Sequence, residues 1–301
     1  MKVLLASDGS EQAEMATRFL LRFPHVEQLE IAVLSCYSVP TFYLNEASGD
    51  WIGELRDLAD TQATQIRNQT EKLFSGSKLK FEFVRQEGQS GDEIVEYAKK
   101  NGFDLVVLGA TGHSMLSRIL LGSVSDFVAT HAHCSVLIVR SKEHTEQKQW
   151  IPNVTIAYDG SPHSKAAIDE FSRFNWGAKI EVHLVHAEHN LYAYRERLKP
   201  ALQSRDSLEK ENMLDQLRRV ARQLPFADPD PKFHLFETDH IGQSIVDFAS
   251  RANSDVILLG DTGVSAIDRM MLGSVSHFVL RHAPMSVWIA RSKVAQQLPI
   301  S

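Results

Sequence analysis

What this chain lacks narrows its class before any motif is read. Cysteine is scarce: Cys36 and Cys134 are the whole complement of 301 residues, and they form no CxxC pair. That excludes a disulfide framework and a cysteine zinc site, and leaves two reduced thiols. Long apolar runs are also missing. Runs such as 105–108 and 256–259 are strand-sized, far short of the roughly 18 residues a spanning helix needs. The N-terminal run Val3-Leu4-Leu5-Ala6 is too short for a signal peptide, and Asp8 soon closes it. There is no excess of positive charge, since 32 Lys and Arg stand against 38 Asp and Glu, a formal net charge of −6. A mildly acidic surface offers no global attraction to nucleic acid or anionic lipid. The expectation is a cytoplasmic protein with no nucleic-acid and no membrane partner.

Two nucleotide signatures are absent as well. No Gly-x4-Gly-Lys-Ser/Thr occurs, which excludes a P-loop ATPase, and no GxGxxG follows the first strand, which argues against a dinucleotide Rossmann enzyme.

What the chain does contain is a copy of itself. Asp8-Gly9-Ser10 recurs as Asp159-Gly160-Ser161, Gly109 as Gly260, and Gly122-Ser123 as Gly273-Ser274, always 151 residues apart. At that offset, residues 109–142 match 260–293 at 20 of 34 positions. A period of that length is a duplicated domain rather than a solenoid repeat. With 43% hydrophobic and 23% charged residues, each half has enough apolar material for its own core. The polar run 141–149 is the boundary, giving domains at 1–145 and 150–294.

Each half alternates strand and helix patterns. In the first, strands are expected at 3–7, 29–36, 79–85, 105–108 and 136–139, with helices between them. Ser10 stands at the N-cap of the first helix, with Glu11 in its first turn. A long amphipathic helix at 45–74 presents Leu55, Leu58, Ala59, Ile66 and Leu73 at helical spacing. The second half repeats the order, with strands at 154–158, 179–186, 233–237, 255–259 and 286–290 and a long helix at 195–224. Alternation of this kind implies right-handed crossovers and a parallel sheet covered on both faces: an α/β, doubly wound fold, present twice.

The chemistry concentrates in Gly109-Ala110-Thr111-Gly112, nine residues, then Gly122-Ser123. The loop leaves a buried strand at its carboxyl end, where open α/β sheets bind ligands. Its glycines permit positive φ and close approach of backbone N–H groups to an anion. Gly122-Ser123 opens a helix, so unpaired N–H groups, the positive dipole end and a hydroxyl converge. The second half carries Gly260-Asp261-Thr262-Gly263, nine residues, then Gly273-Ser274.

Together with Ala6-Ser7-Asp8-Gly9-Ser10 and the closing His131-Ala132-His133-Cys134-Ser135-Val136, these motifs resemble the universal stress protein family over essentially the whole chain. The second half fits too, through Asp159-Gly160-Ser161 and His282-Ala283-Pro284-Met285-Ser286-Val287. The resemblance implies two domains, each a five-stranded parallel sheet of order 3-2-1-4-5. It also implies ATP binding, with Mg or Mn. Carried over by position, Asp8 lies at the adenine–ribose end, Gly109 and Gly112 face ribose and phosphates, and Gly122 and Ser123 hold phosphates. Asp159, Gly260, Gly263, Gly273 and Ser274 form the second set, and the main chain around Cys36 and Tyr37 lines the adenine side.

One substitution separates the copies. Asp261 stands where the first copy has Ala110, and a carboxylate beside a polyphosphate is repulsive, so the first site is expected to bind ATP better. Val264 likewise replaces His113, and Arg118 and Arg269 hold equivalent spacer positions from which either could reach phosphate. The spaced histidines His183, His186 and His189 point to alternate faces of a strand and are expected to be packing or surface residues rather than metal ligands. His131 and His282 suit helix C-termini.

The resulting expectation is a stress-response regulator that binds ATP and acts through a protein partner yet to be identified. Its two domains are expected to pair as an intramolecular pseudo-dimer through the apolar last strands at 136–139 and 287–289, and two chains could form a homodimer. The alternatives are an interaction scaffold that binds no nucleotide, and a slow ATP hydrolase. No motif supplies a general base or an arginine finger, so any hydrolysis is expected to be weak and incidental.

Overall fold

The computed structural model describes residues 1–22, 29–38, 51–112, 121–140, 152–176, 180–189, 201–224, 232–263 and 272–291. The chain divides into two compact units, Met1–Ser141 and Lys142–Ser301.

Unit one runs β1 (Lys2–Ala6), α1 (Glu11–Arg22), β2 (Glu30–Tyr37), α2 (Trp51–Phe74), β3 (Phe81–Glu87), α3 (Ser90–Lys100), β4 (Leu105–Gly109), α4 (Ser123–His131) and β5 (Ser135–Val139). Its strands pair in parallel in the order β3-β2-β1-β4-β5. Unit two runs β6 (Asn153–Ala157), α5 (Pro162–Ser172), β7 (Glu181–His189), α6 (Ala201–Gln223), β8 (Lys232–Thr238), α7 (Ile241–Arg251), β9 (Val256–Gly260), α8 (Ser274–His282) and β10 (Ser286–Ala290). Its order, β8-β7-β6-β9-β10, is the same pattern. Each unit therefore has the expected 3-2-1-4-5 arrangement.

The burial pattern explains the order. Every residue of β4 (LVVLG) and of β5 (SVLIV) is buried, as it must be when helices cover both faces. β3 (FEFVRQE) alternates polar and apolar residues and stays half-exposed, as an edge strand. Because β2 and β4 flank β1 on opposite sides, the chain reverses direction across the sheet there, opening a crevice at the strands' carboxyl ends.

Local sequence places the turns beside that crevice. Gly9 (φ +77°) and Gly160 (φ +78°) sit in the left-handed region that a side chain rarely adopts. Ser10 then caps α1 as expected, its Oγ accepting the Ala13 amide at 3.2 Å. Ser161 does the same for α5, accepting from Ser164 N–H at 3.1 Å, with Pro162 in the first turn.

The long helices are described over Trp51–Phe74 and Ala201–Gln223, and the expected starts at 45–50 and 195–200 lie outside the described residues. On α2 the inward stripe is Ala59, Ala63, Ile66, Thr70 and Phe74, at i+3 and i+4 steps. Leu58, expected on that stripe, is 65% exposed because it sits one residue, about 100°, off it. In unit two the aromatic residues Phe171, Phe174, Trp176 and Trp288 pack together, with Phe171 stacked on Trp176 at 4.4 Å.

The histidines fall where packing uses them. His183 and His186 are buried on β7 and His189 is exposed. Among the described residues, no cluster of three or more His, Cys, Asp and Glu could hold a metal ion. His131 Nδ1 donates to the Phe127 carbonyl and His282 Nδ1 to that of Phe278, each at 2.8 Å in the last turn of a helix. Cys36 ends β2 and Cys134 precedes β5, both as free thiols.

Candidate functional site

A cleft of about 360 Å³ opens at the carboxyl ends of β1 and β4 in unit one, within the range of small-molecule sites. Its lining brings together Asp8, Gly109, Gly112, Gly122 and Ser123, with Cys36 from the end of β2. Residues scattered over more than a hundred positions thus meet at the crevice beside β1.

Each is held by a specific contact. Asp8 Oδ1 accepts the Ser10 amide at 3.0 Å, which fixes the turn after β1. Its other oxygen rests against Gly112, where an added Cβ would stand 2.5 Å from Oδ2. At Gly109 an added Cβ would meet the Gln12 carbonyl oxygen of α1 at 2.8 Å, so β4 and α1 pack backbone to backbone. Neither Gly109 nor Gly112 uses the positive φ suggested by the sequence. Both positions need glycine for close approach instead.

Two further bonds aim α4 at the cleft. The Gly122 amide donates to the Ala110 carbonyl at 2.8 Å, and Ser125 Oγ donates to the Gly109 carbonyl at 2.8 Å. Gly122 is the N-cap of α4 in extended conformation and supplies no side-chain cap. The first-turn amides of Ser123, Val124 and Ser125 therefore have no intrahelical partner, and the positive end of the helix dipole faces the cleft. Among the described lining residues only Asp8 and Cys36 are titratable. Burial, with Glu93 nearby, pushes the Cys36 thiol up to about 12, so it stays neutral.

Unit two repeats the construction. Gly273 N–H donates to the Asp261 carbonyl and Ser276 Oγ to the Gly260 carbonyl, both at 2.8 Å. Gly263 abuts Asp159 Oδ2 at 2.9 Å from an added Cβ, and Ser274 opens α8 behind the N-cap Gly273. Burial alone would raise the Asp159 carboxyl, but hydrogen bonds from Ser161 and Ser164 outweigh it and hold the group below the usual carboxylate range.

Asp261 does not stand as its sequence position implied. His163 Nδ1–H donates to its Oδ1 at 2.7 Å, and Arg291 Nε lies 3.7 Å from its Oδ2. The carboxylate is thereby matched by two cationic or donor groups, and its counterpart Ala110 is not part of the lining of cleft one. His113, Val264, Arg118 and Arg269 lie outside the described residues.

The model of the universal stress protein family matches residues 1–140 and again 151–291. The chain belongs to the universal stress protein family. It carries the domain twice, in tandem. Among curated relatives, universal stress protein MJ0531 of Methanocaldococcus jannaschii is 31% identical over 139 residues, 46% of this chain and 81% of the relative. Universal stress protein Mb2028c of Mycobacterium bovis is 29% identical over 195 residues, 64% of this chain and 63% of the relative. A crystal structure of a universal stress protein from Archaeoglobus fulgidus covers 96% of this chain and 96% of its own, with a TM-score of 0.63 and 20% identity, a likeness of fold.

Sequence reasoning missed three parts of the site: the Ser125 and Ser276 bonds to the loop carbonyls, the seat of each aspartate against a loop glycine, and the His163–Asp261–Arg291 group. The Gly-Ser-Val-Ser string, present in both copies, was the one available signal for the first.

Proposed function

We propose that this universal stress protein is a cytoplasmic ATP-binding regulator, in which nucleotide occupancy of the clefts biases conformation and the choice of a protein partner. The observation that carries the reading is the convergence of Asp8, Gly109, Gly112 and the uncapped N-terminus of α4 on one cleft. Amides at a helix N-terminus are suited to phosphate oxygens, and the glycine at 112 leaves room that a Cβ would fill. The residues present thus fit a nucleotide: Ser123 and the α4 amides would hold phosphates, and Asp8 and the end of β2 would face the nucleoside. With no cluster of three ligating side chains among the described residues, Mg²⁺ or Mn²⁺ would be carried mainly by the phosphates, with Asp8 as the protein carboxylate at hand.

A regulator is favoured over a hydrolase because no motif of the sequence supplies a general base or an arginine finger, and phosphoryl transfer needs charge placed on the moving phosphate. Unit two repeats the same backbone cradle, so both are proposed sites. Pairing of the two domains and of two chains belongs to the same proposal. Titration calorimetry of the full chain with ATP and Mg²⁺ tests it. Saturable heat that weakens at least tenfold (about 1.4 kcal/mol) in the double variant Gly112→Val/Gly263→Val supports nucleotide binding. No heat at millimolar ATP, or binding indifferent to both substitutions, leaves the scaffold reading in its place.

A further inference from the structure

Beneath α7 in unit two lies a group that the nucleotide reading does not use. His183 on β7 and His234 on β8 face each other with Nδ1 and Nε2 3.4 Å apart. Phe248 of α7 covers both rings, at 5.4 Å from His183 and 4.2 Å from His234, and Phe236 of β8 completes the aromatic packing at 5.6 Å from Phe248. His183 is only 6% exposed. At this spacing two neutral imidazoles share one N–H between two nitrogens; two imidazolium rings would point N–H at N–H inside an aromatic layer.

Among the described residues, the charged groups around the pair are few. From β7, Glu181 Oε1 lies 3.4 Å from His183 Nε2, yet without hydrogen-bonding alignment. From β8, Lys232 Nζ holds that same Glu181 oxygen at 2.7 Å, which engages the carboxylate elsewhere. β6 contributes the uncharged Thr155, bonded to Ser254. α7 presents Phe248, while its Asp247 is exposed and bonded by Gln243.

Unit one has nothing of the kind. In the paired strands Ala32 stands for His183 and Val84, two residues beyond its partner Glu82, stands for His234, while Tyr97 stands for Phe248 at the 151-residue offset. The two helices at issue are equivalent in place: Ser90 and Ile94 of α3 line cleft one, and their counterparts on α7 are Ile241 and Ile245.

We propose that the His183–His234 pair is a proton-operated latch on unit two, closed while the imidazoles are neutral and released, with loosening of α7, when both take up protons. Burial lowers both histidines from their ordinary value, outweighing the raising effect of Glu181 on His183, and His183 and Lys232 lower His234 further. The sign follows: protons are bound more readily when α7 opens, so the closed form is stable above the ordinary histidine value near 6.5 and loses stability as pH falls through it. Carboxylates such as Asp159, held below the usual range, act only at lower pH. The latch needs no nucleotide, so its test stands apart from the ATP reading.

Hydrogen exchange read by mass spectrometry on the full chain without nucleotide gives the test. Peptides of 241–251 and 90–100 are compared in one sample at about pH 7.5 and about pH 5. Exchange, corrected for intrinsic rate, should rise at least tenfold more in α7 than in α3, up to about 30-fold for each histidine that stays neutral in the closed form. His234→Phe, which keeps an aromatic ring but cannot take up a proton, should cancel the difference. Equal responses of the two helices, or a response that survives His234→Phe, overturn the latch. Should that variant not fold, imidazole titration of the native chain by NMR decides: midpoints below 6.5 for both rings support the latch, and a midpoint above 6.5 for either overturns it.

Discussion

Adding one methyl group at either loop glycine of unit one separates the glycine that builds the fold from the one that builds the cleft. In Gly109→Ala the new Cβ would lie 2.8 Å from the Gln12 carbonyl oxygen and 2.9 Å from its carbonyl carbon. Ordinary contacts begin near 3.5 Å, so α1 and β4 must part by roughly half an ångström or more. Backbone cannot swing aside, and overpacking of this type costs about 1–3 kcal/mol. For a unit of this size each kcal/mol is worth roughly 2–4 °C, so the unit-one melting transition should fall by about 2–12 °C. In Gly112→Ala the new Cβ would meet Asp8 Oδ2 at 2.5 Å and, among the described residues, nothing else closer than the same carboxyl's Cγ at 3.7 Å. A carboxylate tip can rotate away, so melting should shift by less than about 2 °C. The displaced carboxylate then crowds the cleft, and ATP affinity should fall at least tenfold, about 1.4 kcal/mol. Gly260→Ala repeats the first experiment in unit two, where an added Cβ meets the His163 backbone at 2.7 Å. Scanning calorimetry on the full chain measures the melting shifts, and calorimetric titration the affinity. A Gly109→Ala protein that melts unchanged, or a Gly112→Ala protein that is the less stable of the two, would refute the assignment.

The other expectations are simpler. Asp261→Ala removes the acceptor of His163 and an ion-pair partner of Arg291, so unit two should lose about 1–3 kcal/mol in denaturant unfolding. The chain's ATP affinity should change less than about threefold; a clear gain would restore the repulsion argument made from sequence. Ser161→Ala deletes the N-cap of α5 and should cost about 1 kcal/mol by the same unfolding assay, with Ser161→Asp recovering most of it. Phe171→Ala empties a fully buried ring site stacked on Trp176. It should cost about 3–5 kcal/mol, and a value under 1 would mean that the aromatic cluster is not a core. Asp159, whose folded carboxyl is held below its ordinary value, should stabilise unit two above about pH 4 and lose that contribution as pH falls further. Asp159→Asn should flatten that acid limb; an unchanged acid profile of unfolding would contradict it.

Much of the fold was legible because its determinants are local or periodic. The 151-residue repeat gave the tandem organisation, the buried runs at 105–108 and 256–259 gave central strands, and Ser10 announced the start of α1 through its own side chain. Strand ends were less legible: β7 runs Glu181–His189 where 179–186 was expected, because pairing with β8 out to His189↔Thr238 extends a strand whose own residues, His and Glu, are poor indicators. The cleft's residue types were legible from the glycine spacing, but not their contacts. Asp8 against Gly112, or His163 against Asp261, joins residues about a hundred positions apart, and which atoms meet depends on the parallel register and the reversal at β1. The glycines themselves misled on one point, since positive φ belongs to Gly9 and Gly160 in the first turns and not to Gly109 or Gly112. The His183–His234 pair was invisible for the same reason: the sequence groups His183 with His186 and His189, while the sheet groups it with His234.

The account rests on nucleotide in the clefts, and that can be counted. The purified full chain, equilibrated with ATP and Mg²⁺, freed of unbound ligand and denatured, releases its nucleotide for identification and counting by chromatography. The account predicts adenine nucleotide at about one to two moles per mole of chain, falling by about half or more in Gly112→Val and to near zero when Gly263→Val is added. Release of none, or release undiminished in the double variant, would contradict it.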